Sequence, residues 1–196
     1  HFAAESRVVR AYDALLPGAY RADLFRYCLL LVHGGVYGDL KQRYLAPLDA
    51  MVDRDRDALV IVKDKDHDGR PGVQISFIAA AAGLAVFRTA IDLVVVNVER
   101  REYGESFLAV TGPRLFRKAL DRHPDQPYRQ DLAQSGPELI VWARRPGQRY
   151  IPETSRVAIR TKALSAESSI DSGRYAILWE ERAIFASRSA EACDVA

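Results

Sequence analysis

Residues Tyr20–Leu48 read YRADLFRYCLLLVHGGVYGDLKQRYLAPL, and the fold class is decided in this stretch. Its first half spaces Leu24, Tyr27, Cys28 and Leu31 at i, i+3, i+4 and i+7, the period of one buried helix face. Gly34-Gly35 stops that helix, because glycine takes the left-handed conformation that ends helices without a steric penalty. Val36-Tyr37 then predicts a short strand, which the chain leaves at Gly38-Asp39-Leu40-Lys41. An acid at the carboxyl end of a strand, just past a glycine-marked helix end, stands where α/β proteins place ligand chemistry.

Upstream, Ala3–Leu16 has Val8, Val9, Tyr12, Leu15 and Leu16 on one side of an expected helix that Pro17-Gly18 ends. Downstream, Tyr44–Met51 reads as a connector and Ala58–Val62 as a buried strand. Val73–Ala79 is its expected partner across KDKDHDGRPG. In that segment Asp64, Asp66, Asp68 and Gly69 match the first half of a calcium loop. The second half fails, since Ile75 stands where a bidentate glutamate is needed and a strand precedes the loop instead of a helix. A solvated hairpin loop is the expectation, with a calcium-dependent interaction module as a rival.

Gly83 starts a long helix through Arg100 that turns Val86, Phe87, Ala90, Ile91, Val94 and Val98 inward. Thr111-Gly112-Pro113 opens another, with Pro113 at its first position and Leu115, Phe116, Ala119 and Leu120 inward. His123–Gly136 is polar and reads as loop. Leu139–Trp142, Tyr150-Ile151, Val157–Ile159 and Ala176–Trp179 read as short strands, and the last ten or so residues as a mobile tail.

The 196 residues fit one domain, with its core over about 3–185, able to fold without disulfides or structural metal. Cys28, on the apolar helix face, is expected to be a buried small hydrophobe, and Cys193 is far from it. The 28 basic and 26 acidic residues are interleaved, so no basic stripe points to nucleic acid. No apolar run is long enough for a membrane span, and no leader-like segment is present. A cytoplasmic location is therefore expected, although a chain that opens at His1 reads as a fragment or a processed form. Neither a nucleophile elbow nor a glycine-rich phosphate loop occurs, and His33, His67 and His123 lack the spacing of metal ligands.

RADLFRYCLLLVHGGVYGDL resembles the sugar-binding DXD region of GT-A glycosyltransferases, specifically the Och1-like (family 32) group. The group's pattern is met by Arg21, Ala22, Asp23, Arg26, Tyr27, Leu30, Gly34, Gly35, Tyr37 and Asp39. It fails at Lys41, which stands where the second aspartate belongs. GVQISFIAAAAG and LAVTGP resemble two later blocks, carrying the similarity from about Ala11 to Leu120.

The resemblance implies a GT-A-like mixed sheet flanked by helices on both faces. Such a domain begins with a β-α-β segment, whereas only 38 residues precede Asp39 here. Either the first strands have been removed or the protein is a shortened variant.

The implied activity is transfer of a sugar from a nucleotide-sugar donor to a glycan or other hydroxyl acceptor, with retention, as in polysaccharide biosynthesis. A Mn²⁺ or Mg²⁺ ion would be held by Asp39, since hard cations prefer carboxylate and phosphate oxygens. Asp23 and Arg26, three apart on one helix face, would bind the donor's hydroxyls and phosphate side, and Arg21 could reach the same pocket. Tyr37, Gln74 and Ser76 complete the candidate donor contacts. Lys41 either points away or replaces part of the metal's charge against the diphosphate. The rival within this site is a non-catalytic sugar- or nucleotide-binding domain.

Overall fold

The computed structural model describes residues 6–40, 42–67, 70–135, 139–142, 157–161 and 174–187. The architecture is mixed α/β, a mostly antiparallel sheet flanked by helices. Helices α1 (Ser6–Ala14) and α2 (Gly18–His33) lead into β1 (Gly35–Gly38), β2 (Gln42–Tyr44), the single turn α3 (Leu48–Met51) and the long hairpin β3 (Leu59–His67) and β4 (Arg70–Ala80). Then follow α4 (Ala85–Arg100), α5 (Pro113–Asp121), β5 (Arg129–Ser135), β6 (Leu139–Trp142) and β7 (Val157–Thr161). A last helical turn pair occupies residues 174–180.

Seven strands form one sheet in the order β1-β4-β3-β5-β6-β7-β2, parallel only between β3 and β5. The order has a geometric consequence. β1 and β2 stand at opposite ends of the sheet, yet four Cα steps join Gly38 to Gln42, a reach of at most about 15 Å. Six strand spacings in a flat sheet would need about 29 Å. The sheet therefore curls until its two edges meet at the Asp39 corner. The contact is tight: a Cβ on Gly38 would stand 1.8 Å from the Tyr44 hydroxyl, so any larger residue there would have to displace that side chain.

Alternation sorts the strand residues onto two faces. Leu59, Ile61, Val73, Ile75 and Ile78 join the core under α1, α2, α4 and α5. Val60, Val62, Phe77, Ala79, Leu132 and Ile159 form a smaller cluster with Met51 of α3. The parity of β4 changes between Ile75 and Phe77, because its pairing with β3 jumps from Ile61↔Ile78 to Val62↔Gln74. Residues 75–77 are thus an irregular, bulged step beside the corner. Within the larger core Tyr27, Phe116 and Phe87 stack with ring centroids 5.4 and 5.6 Å apart, each pair contributing about 0.5–1.5 kcal/mol beyond its buried area.

Several expectations change. The inward face of α2 carries Tyr20, Asp23, Leu24, Arg26, Tyr27 and Leu30, while Cys28 and Leu31 lie at its margin, half-buried. Packing against α4 fixes this rotation, and two charged residues ride inward because they satisfy each other. The Asp64–His67 segment is strand, not loop, so the hairpin extends further than its apolar residues suggested; Asp68 and Gly69 lie outside the described residues. Arg129–Ser135 is strand inside the segment read as loop, held by pairing with β3 and β6 despite a single apolar core residue, Leu132. Residues 174–180 are helical, not extended, and turn Leu178 and Trp179 toward the core under an exposed Ile177. Tyr150-Ile151, Cys193 and the final residues lie outside the described residues.

Gly34 ends α2 at φ 61°, ψ −150°, its N–H bonded to the Leu30 carbonyl. A Cβ there would meet backbone atoms of Ala80–Ala82 at 2.6–2.9 Å, whereas Gly35, at φ 92°, faces open space. Gly34→Ala should therefore cost at least about 2 kcal/mol, combining a backbone region that only glycine populates with a backbone overlap. Gly35→Ala should cost about 1 kcal/mol. Urea-denaturation midpoints measure both, and equal losses would contradict the close approach at Gly34.

Candidate functional site

The corner where the sheet closes gathers most of the candidate residues. Arg26, only 6% exposed, reaches from α2 across the bulged step of β4. One amino group donates to the Ile75 carbonyl at 2.5 Å. The other meets Asp23 Oδ1 at 3.0 Å and Asp39 Oδ1 at 3.8 Å. The guanidinium lies over the Tyr37 ring, 4.4 Å from its centroid, a cation–π contact strengthened by desolvation. The Tyr37 hydroxyl donates to Asp39 Oδ1 at 3.3 Å. A buried cation thus ties together a helix, a strand end and a bulge.

Asp39 is held by backbone as well. Its N–H donates to the Ser76 carbonyl at 3.0 Å, carrying the β1–β4 pairing one step past Gly38, and its carbonyl accepts from Gln42 N at 2.9 Å. Gln42 Nε2 donates to Ser76 Oγ, and Ser76 N donates to Gln74 Oε1. Gln74 and Ser76 therefore organise the bulge that holds Asp39. The Asp39 side chain keeps 29% of its surface exposed, so this carboxylate is the part of the cluster that solvent or a ligand reaches.

Asp23 is deeper, 8% exposed. Its Oδ2 accepts from the Thr111 hydroxyl at 2.8 Å, and the Tyr27 hydroxyl donates to the Thr111 carbonyl at 2.9 Å. Burial pushes the Asp23 carboxyl above its ordinary range, opposed by Arg26 and then by the Thr111 hydrogen bond, while Asp39 adds to the rise. Burial opposes the Arg26 charge too, but Asp23 and its other neighbours outweigh it and hold Arg26 above the usual range. Burial raises Tyr27 well above the ordinary phenol range, so it acts as a neutral donor.

Arg21 is not brought to this cluster. Its guanidinium donates to the carbonyls of Leu15 and Asp13 at the end of α1 and faces the Tyr12 ring. Lys41 lies outside the described residues. Trp179 donates its indole N–H to the Tyr103 carbonyl. Thr111 was legible in sequence only as part of a helix start, because its partner Asp23 lies 88 residues away.

Residues 1–58 match the glycosyltransferase sugar-binding region containing the DXD motif. This match takes in α1, α2, β1, Asp39 and β2. It supports a glycosyltransferase-type sugar-binding region within these residues. No curated protein matches the chain. Among solved structures, PaToxG glycosyltransferase is similar at 21% identity with a TM-score of 0.40, over 54% of this chain and 35% of that one.

In the matched region Asp39 is the sole acid of its motif, and among the described residues no three His, Cys, Asp or Glu side chains converge to hold a metal ion. One half-exposed carboxylate fits a hard cation shared with a ligand's phosphates, which need only one or two protein carboxylates. It does not fit a cation caged by protein alone.

Arg26→Met should destabilise the protein by about 3–5 kcal/mol, because it leaves Asp23 buried without its counter-charge. Adding Asp23→Asn to Arg26→Met should recover part of that loss, since the neutral amide needs no counter-ion. A cycle of urea-denaturation measurements decides it; no recovery in the double variant would mean that Asp23 is not charged against Arg26.

Proposed function

We propose that the protein is a glycosyltransferase, with the Asp39 corner as its donor site. The reaction is transfer of a sugar from a nucleotide-sugar donor to a glycan or other hydroxyl acceptor, with the Och1-like group as the nearest pattern. What carries the reading is one coincidence: the buried Arg26 that joins Asp23 to Asp39 lies inside the segment matching a glycosyltransferase sugar-binding region.

Each residue has a task in this reading. Asp39, the exposed carboxylate, would hold a Mn²⁺ or Mg²⁺ ion shared with the donor's diphosphate. The ion, when bound, neutralises charge that develops on the departing diphosphate. Arg26 keeps Asp39 from swinging away and offsets part of the negative charge of the two carboxylates. Asp23, whose side chain keeps a narrow exposed edge of 12%, accepts hydrogen bonds from donor hydroxyls. The Tyr37 ring fixes the guanidinium plane, and Gln74 and Ser76 shape the floor. Retention with attack from the leaving-group side requires no enzyme nucleophile, which suits a corner whose one exposed carboxylate faces the cation.

Lys41 gives this reading its second form. With a lysine where the group's second aspartate stands, metal dependence is weakened and the ammonium carries part of the diphosphate charge. The same substitution favours a binding domain without turnover as the alternative.

Thermal unfolding with UDP-, GDP- and dTDP-sugars, each with and without Mn²⁺, tests the reading. One nucleotide at a hundredfold excess over its dissociation constant should stabilise the protein by about 2.7 kcal/mol. Asp39→Asn should abolish that shift. Release of nucleoside diphosphate on prolonged incubation separates the enzyme from the binding domain, and no shift with any donor would defeat both.

A further inference from the structure

We propose that Thr111 is a positioning residue for Asp23, its hydroxyl holding that carboxylate in the orientation and charge state in which it serves the donor site. The consequence for donor binding rests on the reading above; the effect on Asp23 itself does not.

Thr111 is completely buried and stands immediately before α5, outside the matched region. Its hydroxyl is 2.8 Å from Asp23 Oδ2, while Arg26 takes Oδ1 at 3.0 Å. Each oxygen of the carboxylate thus has one partner, the first from α5's approach and the second from α2 itself. The arrangement is built from both sides. Tyr27, one turn further along α2, donates its hydroxyl to the Thr111 carbonyl at 2.9 Å, and its ring stacks on Phe116 of α5. Gly112 allows the approach, since a Cβ there would come within 3.1 Å of the Leu108 carbonyl and 3.5 Å of Asp23 Oδ2. Pro113 then starts the helix with its φ already set, so the backbone that carries Thr111 has little freedom. Threonine's branched Cβ restricts the hydroxyl to few rotamers, which serine would not do as well.

Removal of the hydroxyl changes the balance at Asp23 in one direction. The groups facing this carboxyl are Arg26, Tyr20 and Tyr27 from α2, Tyr37 and Asp39 from β1 and its end, and Tyr175 from residues 174–180. Of these only Arg26 is a cation. A hydrogen bond donated to the carboxylate favours its charged form. Without it, burial and Asp39 are opposed, among the described residues, by Arg26 alone, and Asp23 keeps its proton to higher pH.

The test compares Thr111→Val, which keeps the shape and loses the hydroxyl, with Thr111→Ser, which keeps the hydroxyl and loses a methyl group. The titration of Asp23 is followed by ¹³C NMR of carboxyl-labelled aspartate, its signal assigned by loss in Asp23→Asn. The midpoint should move to higher pH in Thr111→Val and stay in place in Thr111→Ser. An unmoved midpoint in Thr111→Val, or equal movement in both variants, overturns the proposal. Binding of whichever of UDP-glucose or GDP-mannose with Mn²⁺ stabilises the unmodified protein should weaken about tenfold in Thr111→Val and much less in Thr111→Ser, the loss of one hydrogen bond to a charged group. If neither donor binds the unmodified protein, the titration alone still decides the role of Thr111.

Discussion

A single buried guanidinium holds the Asp39 corner in place. Arg26 sits where water does not reach, and such a charge is tolerated only with full compensation. Asp23 supplies the counter-charge, the Ile75 carbonyl takes one amino group, the Tyr37 ring covers the plane and Asp39 closes the set from outside. The partners come from α2 itself, from β1 and its end and from β4, so the requirement of one cation fixes the relative placement of α2, β1 and the irregular step of β4. The bulge serves the same purpose: a regular β4 would commit the Ile75 carbonyl to the ladder and leave Arg26 short of an acceptor.

The second constraint is topological. With β1 and β2 at opposite ends of the strand order and only residues 39–41 between them, the sheet has to curl, and Asp39 lies at the point of closure. Small residues at this seam follow from it. Gly38 faces the Tyr44 ring, and Gly34 lets the end of α2 press against the backbone of Ala80–Ala82. The polar link from Gln42 to Ser76 replaces apolar packing where the two edges meet. Closure and charge compensation therefore act on the same few residues, one setting where Asp39 is and the other which way it points.

This division explains what could be read from the chain alone. The helices α1, α2, α4 and α5 and the hairpin β3–β4 were legible because apolar period and glycine or proline punctuation are local signals. Asp39 was legible as a candidate because a strand ending at an acid is also a local signal. The rotation of α2 was not, since Leu24, Tyr27, Cys28 and Leu31 satisfy the helical period as well as the face that is buried; only the Asp23–Arg26 pairing turns two charges inward. β5 was missed because RQDLAQS owes its extended form to neighbours on both sides, not to its own composition. The helix at 174–180 was misread for the opposite reason: its short apolar run fits either period, and packing of Tyr175 on Tyr20 and Phe107 decides between them. Thr111 lies beyond any local signal, 88 residues from the carboxylate it serves.

The charge count at the corner bears on what it can bind. Among the described residues of this cluster, two carboxylates, Asp23 and Asp39, are set against one cation, Arg26. Alone, the cluster would repel a diphosphate, and at about 4 Å that repulsion amounts to several kcal/mol near a protein surface. In the donor reading, positive charge has to stand between Asp39 and the phosphates. Two acids would hold a divalent ion firmly enough to supply two charges; one acid followed by a lysine supplies a weaker hold on the ion together with one charge of its own. In that reading a lysine at position 41 would redistribute charge within the same electrostatic requirement, and the burial of Arg26 explains why that residue cannot meet it. Its charge is already matched by Asp23, and what remains for a ligand is carried at the surface of the corner.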